Sequence, residues 1–167
     1  MQLLNNYIQE KLKINSNSKI DINDINLDTL EEFGIKYGCK LLKDSSGNNY
    51  EFNTLNIHNN EDLQNKIKSF FKLDHSQWLD LYFKVQDYID EINELDEHHR
   101  TSIKRSSDEG YIAIECVNLM TDIKYGYIKL YKKDDIITQL INKKDKDKEK
   151  IDKLLIHILD FIIDEKN

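Results

Sequence analysis

The chain has 167 residues, of which 39% are hydrophobic and 33% charged, and its formal net charge at pH 7 is -7. This length predicts one domain, covering residues 1–167. The acidic balance disfavours direct binding to nucleic acid, which needs clustered Lys and Arg, and it favours a protein partner with a basic surface. The sequence holds no apolar run near the roughly 18 residues of a membrane span, so we expect a cytoplasmic protein without a membrane partner.

Residue usage is strongly biased. Arg100 and Arg105 are the two arginines, Ala113 is the one alanine, and proline is absent. AT-rich coding imposes this bias, which is compatible with low-GC bacteria, their phages or some protists. Cys39 and Cys116 lack CxxC spacing and are expected to be buried thiols, with a disulfide between them as the alternative.

The first part of the chain predicts three helices and a hairpin. Apolar residues at helical spacing and capping side chains identify the helices. Asp28 with Glu31 forms a capping box, and Asn59 or Asn60 caps the third helix. In chain order we predict a helix over 1–14, a loop over 15–26, a helix from 28 to Gly34 or Gly38, strands over 37–43 and 50–57, and a helix through 63–71.

Residues 74–99 predict a single long helix, around which we expect the rest of the chain to pack. Asp74 caps this helix, and Gln77 completes a capping box. At about 100° per residue, one broad face is apolar and comprises Trp78, Leu81, Tyr82, Val85, Tyr88, Ile89 and Ile92. The opposite face gathers four carboxylates, which are Asp80, Asp87, Glu91 and Glu94.

A polar connection over 98–110, a second hairpin and two more helices are predicted after the long helix. The hairpin alternates over 111–117 and 125–132. Asp134 or Asp135 caps a helix through 136–141, residues 143–150 alternate in charge, and 151–163 carry the cleanest helical stripe of apolar residues.

Hairpins separated by groups of helices indicate the α+β class, with an antiparallel sheet packed against about six helices. A hairpin followed by two helices occurs twice in the predicted order. This order suggests a ββαα duplication, although the two halves share no convincing residue identity.

The acidic face of the long helix is the first candidate site. Its carboxylates would repel one another without partners, so one interpretation is a docking surface for a basic protein. The other interpretation is an ordinary solvated helix face. We expect no metal site here, because carboxylates spread over four helical turns do not converge on one ion.

The segment from His98 to Arg105 is the second candidate, because it holds both arginines and two of the five histidines. An anion-binding site is suggested by the residues His98, His99, Arg100, Lys104 and Arg105. Arg binds phosphate or carboxylate through two donors, and His transfers protons near neutral pH. The alternative is that these charges oppose the negative end of the long helix's dipole.

The outer face of the second hairpin is the third candidate, since Tyr111, Tyr127 and Tyr131 share it. Tyrosines are favoured at interfaces because an apolar ring carries a polar tip. Alternatively, a neighbouring helix or the first hairpin covers these rings.

The common catalytic motifs are missing from the sequence, which has no P-loop, dinucleotide fingerprint, HExxH or nucleophile elbow. We therefore expect a small acidic protein that is not an enzyme, with no catalytic residue, cofactor or metal, and that binds another protein as an inhibitor or immunity-type factor. One alternative is an enzyme that acts on a phosphorylated or nucleotide substrate through His98 to Arg105. Another is a structural protein that forms a homodimer through its last helix.

Overall fold

The structure, a computed structural model, describes residues 27–38, 40–43 and 47–164. The helices within these residues are α1 (Leu27–Tyr37), α2 (Glu61–Lys72), α3 (His75–Ile92) and α4 (Lys148–Asp164). The strands are β1 (Leu41–Lys43), β2 (Asn49–Asn56), β3 (His99–Ser106), β4 (Tyr111–Asn118), β5 (Lys124–Tyr131) and β6 (Ile136–Asn142). The helix and loop predicted over 1–26 lie outside the described residues.

The described strands form one antiparallel sheet in the order β1-β2-β6-β5-β4-β3. This sheet confirms the α+β class and the hairpin predicted at β4 and β5. Strand β2 pairs with β6 along most of its length, from Tyr50 opposite Asn142 to Asn56 opposite Ile136. The strands β3 to β6 are therefore consecutive neighbours, and β2 and β1 extend the sheet beyond β6.

The helix predicted through 136–141 is wrong, because these residues form β6. Ile137 and Ile141 belong to the core on one face of the sheet, and Leu140 belongs to the core on the other. Since helices cover both faces, β6 carries apolar residues on both of its sides. Such a run of Ile and Leu fits helical spacing as well as it fits a buried strand.

The prediction of about six helices in two ββαα units is not supported, since the described residues hold four helices and no repeated hairpin-helix unit. The long helix ends at Ile92, with Asn93 as its C-cap, rather than at residue 99. The polar connection predicted over 98–110 is largely strand β3. Its many charged residues obscure the alternation of apolar and polar residues by which a strand is recognised. Such charged residues are common on a strand at the edge of a sheet.

Helices α3 and α4 pack on one face of the sheet and form the larger core. Val85 of α3 and Leu155 and Ile158 of α4 are fully buried there. The apolar stripe predicted for the last helix is confirmed, and it lies against β4, β5 and β6 of the same chain. The stripe is therefore not a free seam for a dimer.

Helix α1 covers the opposite face of the sheet beside β1 and β2. A smaller core forms there around Leu30, Tyr50, Phe52 and Tyr127. Among the helices that the structure describes, none combines the length and the apolar content needed to cross a bilayer.

Candidate functional site

The first turn of α3 fixes which side of this helix faces solvent. The backbone N–H of Gln77 donates to Asp74 Oδ1 at 2.8 Å, and the backbone N–H of Asp74 donates to Gln77 Oε1 at 2.9 Å. The predicted capping box is therefore confirmed. Leu81, Val85 and Ile89 are buried on the inner side of α3, so residues about half a turn away from them point outward.

The outward side of α3 carries more than the predicted carboxylates. Phe83 is 59% exposed and Leu79 is 37% exposed. At about 100° per residue, Phe83 lies near the centre of this side, a signal that could have identified it from the sequence. We name this surface the α3 outer face, and its exposed members include Leu79, Asp80, Phe83, Lys84, Asp87, Asp90 and Glu91. Glu94, which was predicted on this face, lies beyond the end of α3 at Ile92, so the helix does not position it.

A groove of about 580 Å³ lies where α3 ends and α4 begins. Glu91 of the α3 outer face and Glu94, just beyond the helix, line this groove, together with Glu149, Lys150, Lys153 and His157 of α4. Lys150 and Lys153 partly offset the negative charge of these three glutamates.

The residues predicted to bind an anion lie on and beside β3, where side chains alternate between the two faces of the sheet. His99 and Arg105 lie on the face that α3 and α4 cover. Arg100 and Lys104 lie on the opposite face and are exposed, and His98 is exposed just before the strand. The five residues are therefore not brought together around one anion.

Arg105 connects β3 to the end of α2 through hydrogen bonds. Its Nη1 donates hydrogen bonds to the carbonyl oxygens of Phe70 and Leu73, both at 2.8 Å. Its guanidinium lies 4.9 Å from the centroid of the Trp78 ring. Since carbonyls in the last turn of a helix lack helical partners, Arg105 supplies donors that the end of α2 needs.

The tyrosines predicted as a contact surface share one face of the sheet, but this face is covered. Tyr111 is 6% exposed and Tyr127 is 0% exposed, while Tyr131 is half-buried. The expectation that Tyr111 and Tyr127 contact a partner is therefore corrected, because these rings pack inside the chain. The alternative that a neighbouring helix covers the face agrees with the position of α1.

A buried ion pair holds α1 over these tyrosines. Lys129 Nζ lies 2.9 Å from Glu31 Oε2, and the two side chains are 4% and 5% exposed. The ammonium is also 4.5 Å from the ring centroid of Tyr111 and 4.7 Å from that of Tyr127. Burial raises the pKa of Tyr127, and the nearby charge of Glu31 raises it further, so this ring remains a neutral phenol.

A second polar arrangement surrounds His99 at the edge of the larger core. His99 Nδ1 lies 2.8 Å from Asp96 Oδ1, and Nε2 lies 3.6 Å from Asp145 Oδ2. The imidazole stacks on Tyr125 with ring centroids 4.2 Å apart. Asp147 adds a third carboxylate, and potential ligand atoms of Asp96, His99 and Asp147 all lie within 4.8 Å of one another.

We name Asp96, His99, Asp145 and Asp147 the His99 cluster. Its members come from the α3–β3 connection, the start of β3 and the β6–α4 connection. The hydrogen bond from His99 holds the pKa of the Asp96 carboxyl below its usual value, so Asp96 is ionised at neutral pH. Only His99 was a predicted site residue, because its three carboxylates are brought to it by the fold rather than by a local motif.

Cys116 lies opposite Thr101 in the β3–β4 pair and is a free, buried thiol. This finding confirms the prediction for Cys116, whereas Cys39 lies outside the described residues. Burial raises the pKa of the Cys116 thiol to about 11. The thiol is therefore protonated at neutral pH and is poorly suited to nucleophilic chemistry.

Comparisons with protein-family models, with curated proteins and with solved structures give no match for this chain. Function must therefore be inferred from the geometry of the described residues. Two arrangements of side chains among these residues are the main candidates for a functional site. One is an open helix face with carboxylates around an exposed ring, and the other is a buried imidazole among carboxylates.

Proposed function

We propose that this protein binds another protein, as an inhibitor or immunity-type factor, by docking a basic surface on the α3 outer face. The observation that carries the proposal is Phe83, which is 59% exposed on a helix side otherwise rich in carboxylates. Large apolar side chains within a polar rim commonly mark protein-binding surfaces. The partner inferred here is a basic protein whose contact surface includes an apolar patch that covers this ring.

The carboxylates and the ring have different roles in this proposal. Asp80, Asp87 and Asp90 lie around Phe83 at helical spacing, on a chain with a net charge of -7. Their negative potential attracts a basic partner over long range and disfavours an acidic one. Affinity at interfaces comes mainly from a few buried anchors, among which aromatic side chains are frequent. We assign partner selection to the carboxylates and anchoring to Phe83.

The chemistry of the remaining candidate residues supports a binding protein over an enzyme. The segment from His98 to Arg105 distributes its polar side chains over two faces of a strand. Cys116 is a buried thiol with a raised pKa. Together with the lack of common catalytic motifs in the sequence, these features favour the inhibitor-type function.

Affinity capture from a lysate of the source cells, with wild type and two variants as bait, tests the proposal. Asp87→Lys/Glu91→Lys reverses charge on the α3 outer face, and Phe83→Ser removes the ring. We expect wild type to capture a basic protein that is released as salt is added, because salt screens the attraction between exposed charges. Both variants should lose this protein.

The matched control is Asp108→Lys/Asp134→Lys, which makes the same change in net charge at exposed positions outside α3. The control should capture the partner as wild type does. Circular dichroism should show that all the variants are folded. A partner that both α3 variants retain, or that the control loses to the same extent, would contradict docking on the α3 outer face.

A further inference from the structure

The imidazole of His99 is held in one orientation by two neighbours. The Tyr125 ring stacks on it, and Asp96 Oδ1 lies 2.8 Å from Nδ1. An ionised carboxylate only accepts hydrogen bonds, so Nδ1 must carry the proton that joins it to Asp96. In the neutral imidazole, Nε2 is therefore the nitrogen with a free lone pair.

The environment of Nε2 lacks a donor that would satisfy this lone pair. The His99 side chain is 4% exposed, and Nε2 makes no hydrogen bond with any residue that the structure describes. The atom facing it is Asp145 Oδ2, which is 3.6 Å away and is itself an acceptor. Two acceptors that face each other in a buried site repel unless a cation lies between or beside them.

Asp145 and Asp147 supply further donors for such a cation. A potential ligand atom of Asp147 lies within 4.8 Å of one on His99. Asp145 Oδ1 accepts the backbone N–H of Asp147 at 2.7 Å, which leaves Oδ2 on the side of the imidazole. Metal–nitrogen and metal–oxygen bonds are about 2.0–2.2 Å long, so two donors 3.6 Å apart can bind one ion.

We propose that the His99 cluster binds one divalent transition-metal ion, with His99 Nε2 and the carboxylates of Asp145 and Asp147 as ligands. A set of one imidazole and several carboxylates suits Zn²⁺ or Mn²⁺ better than Mg²⁺, which prefers oxygen ligands alone. Asp96 also fixes the ring through Nδ1, as carboxylates commonly do for metal-binding histidines.

The His99 cluster shares no residue with the α3 outer face, and it would bind a metal ion rather than a protein. It goes beyond the docking function proposed above, because metal binding here requires no protein partner. The occupant that competes with a metal is a second proton on His99, which would join Nε2 to Asp145. A metal-binding experiment distinguishes the two, since only the metal gives saturable binding that depends on the carboxylates.

The test uses untagged full-length protein that has been treated with a chelator and then dialysed. Isothermal titration with Zn²⁺, Mn²⁺ and Mg²⁺ should show one ion per chain, with affinity for Zn²⁺ above that for Mn²⁺ and Mg²⁺, in the usual order for such ligands. Co²⁺ should give visible absorption bands that Zn²⁺ removes. Affinity should fall as the solution is acidified, because protons compete for the imidazole and the carboxylates.

Asp147→Asn and Asp96→Asn should each weaken Zn²⁺ binding by at least about tenfold, because Asp147 is a ligand and Asp96 orients the imidazole through Nδ1. His58→Gln is the matched control, since His58 forms an exposed pair with Asp135, 3.3 Å apart, outside the cluster. It should leave the affinity unchanged. The proposal is overturned if none of the three ions binds with one-to-one saturation, or if Asp147→Asn and Asp96→Asn bind Zn²⁺ as wild type does.

Discussion

Lys129 and Glu31 place two opposite charges in the interior between α1 and the sheet, where each side chain is at most 5% exposed. A buried ion pair is weak evidence for stability, because both groups lose their contact with water. Removing one partner destabilises the folded state strongly, because the other charge is then left buried without compensation. This pair therefore links α1 to β5, beside the apolar contacts of Leu30.

Lys129→Met should lower the free energy of unfolding by about 3–5 kcal/mol, because the Glu31 carboxylate loses its cation. Urea denaturation measures this difference. The double variant Lys129→Met/Glu31→Gln should recover a large part of the loss, since it buries no charge. If the single variant were as stable as wild type, α1 would not hold Glu31 in a buried position.

Asp96 links stability to pH. The hydrogen bond from His99 lowers the pKa of Asp96 from its usual 3.8. A carboxyl whose pKa is lower in the folded state contributes stability above its unfolded pKa, and this contribution is lost as the pH falls through the folded pKa. Acid should therefore remove the stabilising effect of this carboxylate.

Asp96→Asn should be less stable than wild type at neutral pH, and the difference should shrink as the pH falls below about 4. Thermal unfolding across this pH range measures the difference, with a chelator present so that a bound metal adds no dependence of its own. A stability difference that stays constant from neutral pH to the acid limit would show that Asp96 does not act through its charge.

At the scale of the elements, β3 uses its two arginines in different ways. Arg105 donates two hydrogen bonds to the last turn of α2 and its neighbour Leu73, whereas Arg100 is exposed on the other face of the strand. The difference follows from strand alternation and gives a matched pair of substitutions. Each replaces one arginine of the same strand by alanine.

Arg105→Ala should lower the free energy of unfolding by about 1–3 kcal/mol, because two carbonyl groups lose a charged donor. Arg100→Ala should change it by less than about 0.5 kcal/mol. Denaturant unfolding followed by fluorescence measures both, and Trp78, the single tryptophan, should also report the loss of the stacked guanidinium. Equal effects of the two substitutions would contradict the role given to Arg105.

Helix α4 lies close to β5 because Gly126 has no side chain. A Cβ at this position would lie 2.9 Å from Ile141 Cδ1, 3.0 Å from the Leu140 carbonyl oxygen and 3.2 Å from Ile151 Cγ2. These distances are too short for ordinary contacts. The approach of α4 to the sheet therefore depends on this one glycine.

Gly126→Ala should cost about 1–3 kcal/mol of stability through overpacking. Ile141→Val removes Cδ1, the nearest of the three atoms, so Gly126→Ala/Ile141→Val should lose less stability than the sum of the two single variants. Calorimetry on the four proteins of this cycle measures the coupling. Strict additivity would mean that the added methyl group does not meet Ile141.

At the scale of the whole molecule, the features that could be predicted are local ones. The capping box of Asp74 and Gln77 spans four residues, and the apolar stripe of α4 repeats within one helix. Both depend on neighbours along the chain, so periodicity and capping rules identify them. The class of the fold followed from these elements and from the β4–β5 hairpin.

Strands β6 and β3 could not be predicted from the sequence, because their residue patterns depend on which helices or strands pack against them. Strand β6 is apolar on both sides because helices lie on both faces of the sheet, and periodicity alone cannot separate such a strand from a helix. Strand β3 is at the edge of the sheet, where charged residues are acceptable. Both strands become recognisable only when the sheet order is known.

The candidate sites divide in the same way. Asp80, Asp87 and Glu91 could be predicted on the α3 outer face because they share one helix, and helical spacing also places Phe83 among them. Glu94 was predicted there too, but the helix ends before it. The His99 cluster required the fold, since Asp96, Asp145 and Asp147 reach His99 from two connections outside β3. The burial of Tyr127 likewise depends on α1, which is distant from it in the sequence.

The pairing of β2 with β6 has a consequence for the order in which the sheet can form during synthesis. Strand β1, the other neighbour of β2, has three residues, so the longer pairing of β2 is with residues 136–142. Strands β3, β4 and β5 each pair with the next strand along the chain, so this part of the sheet can close one hairpin at a time. Because synthesis proceeds from the N-terminus, β2 emerges from the ribosome before its main neighbour exists. The sheet is then completed by the early strands joining a meander that was translated after them.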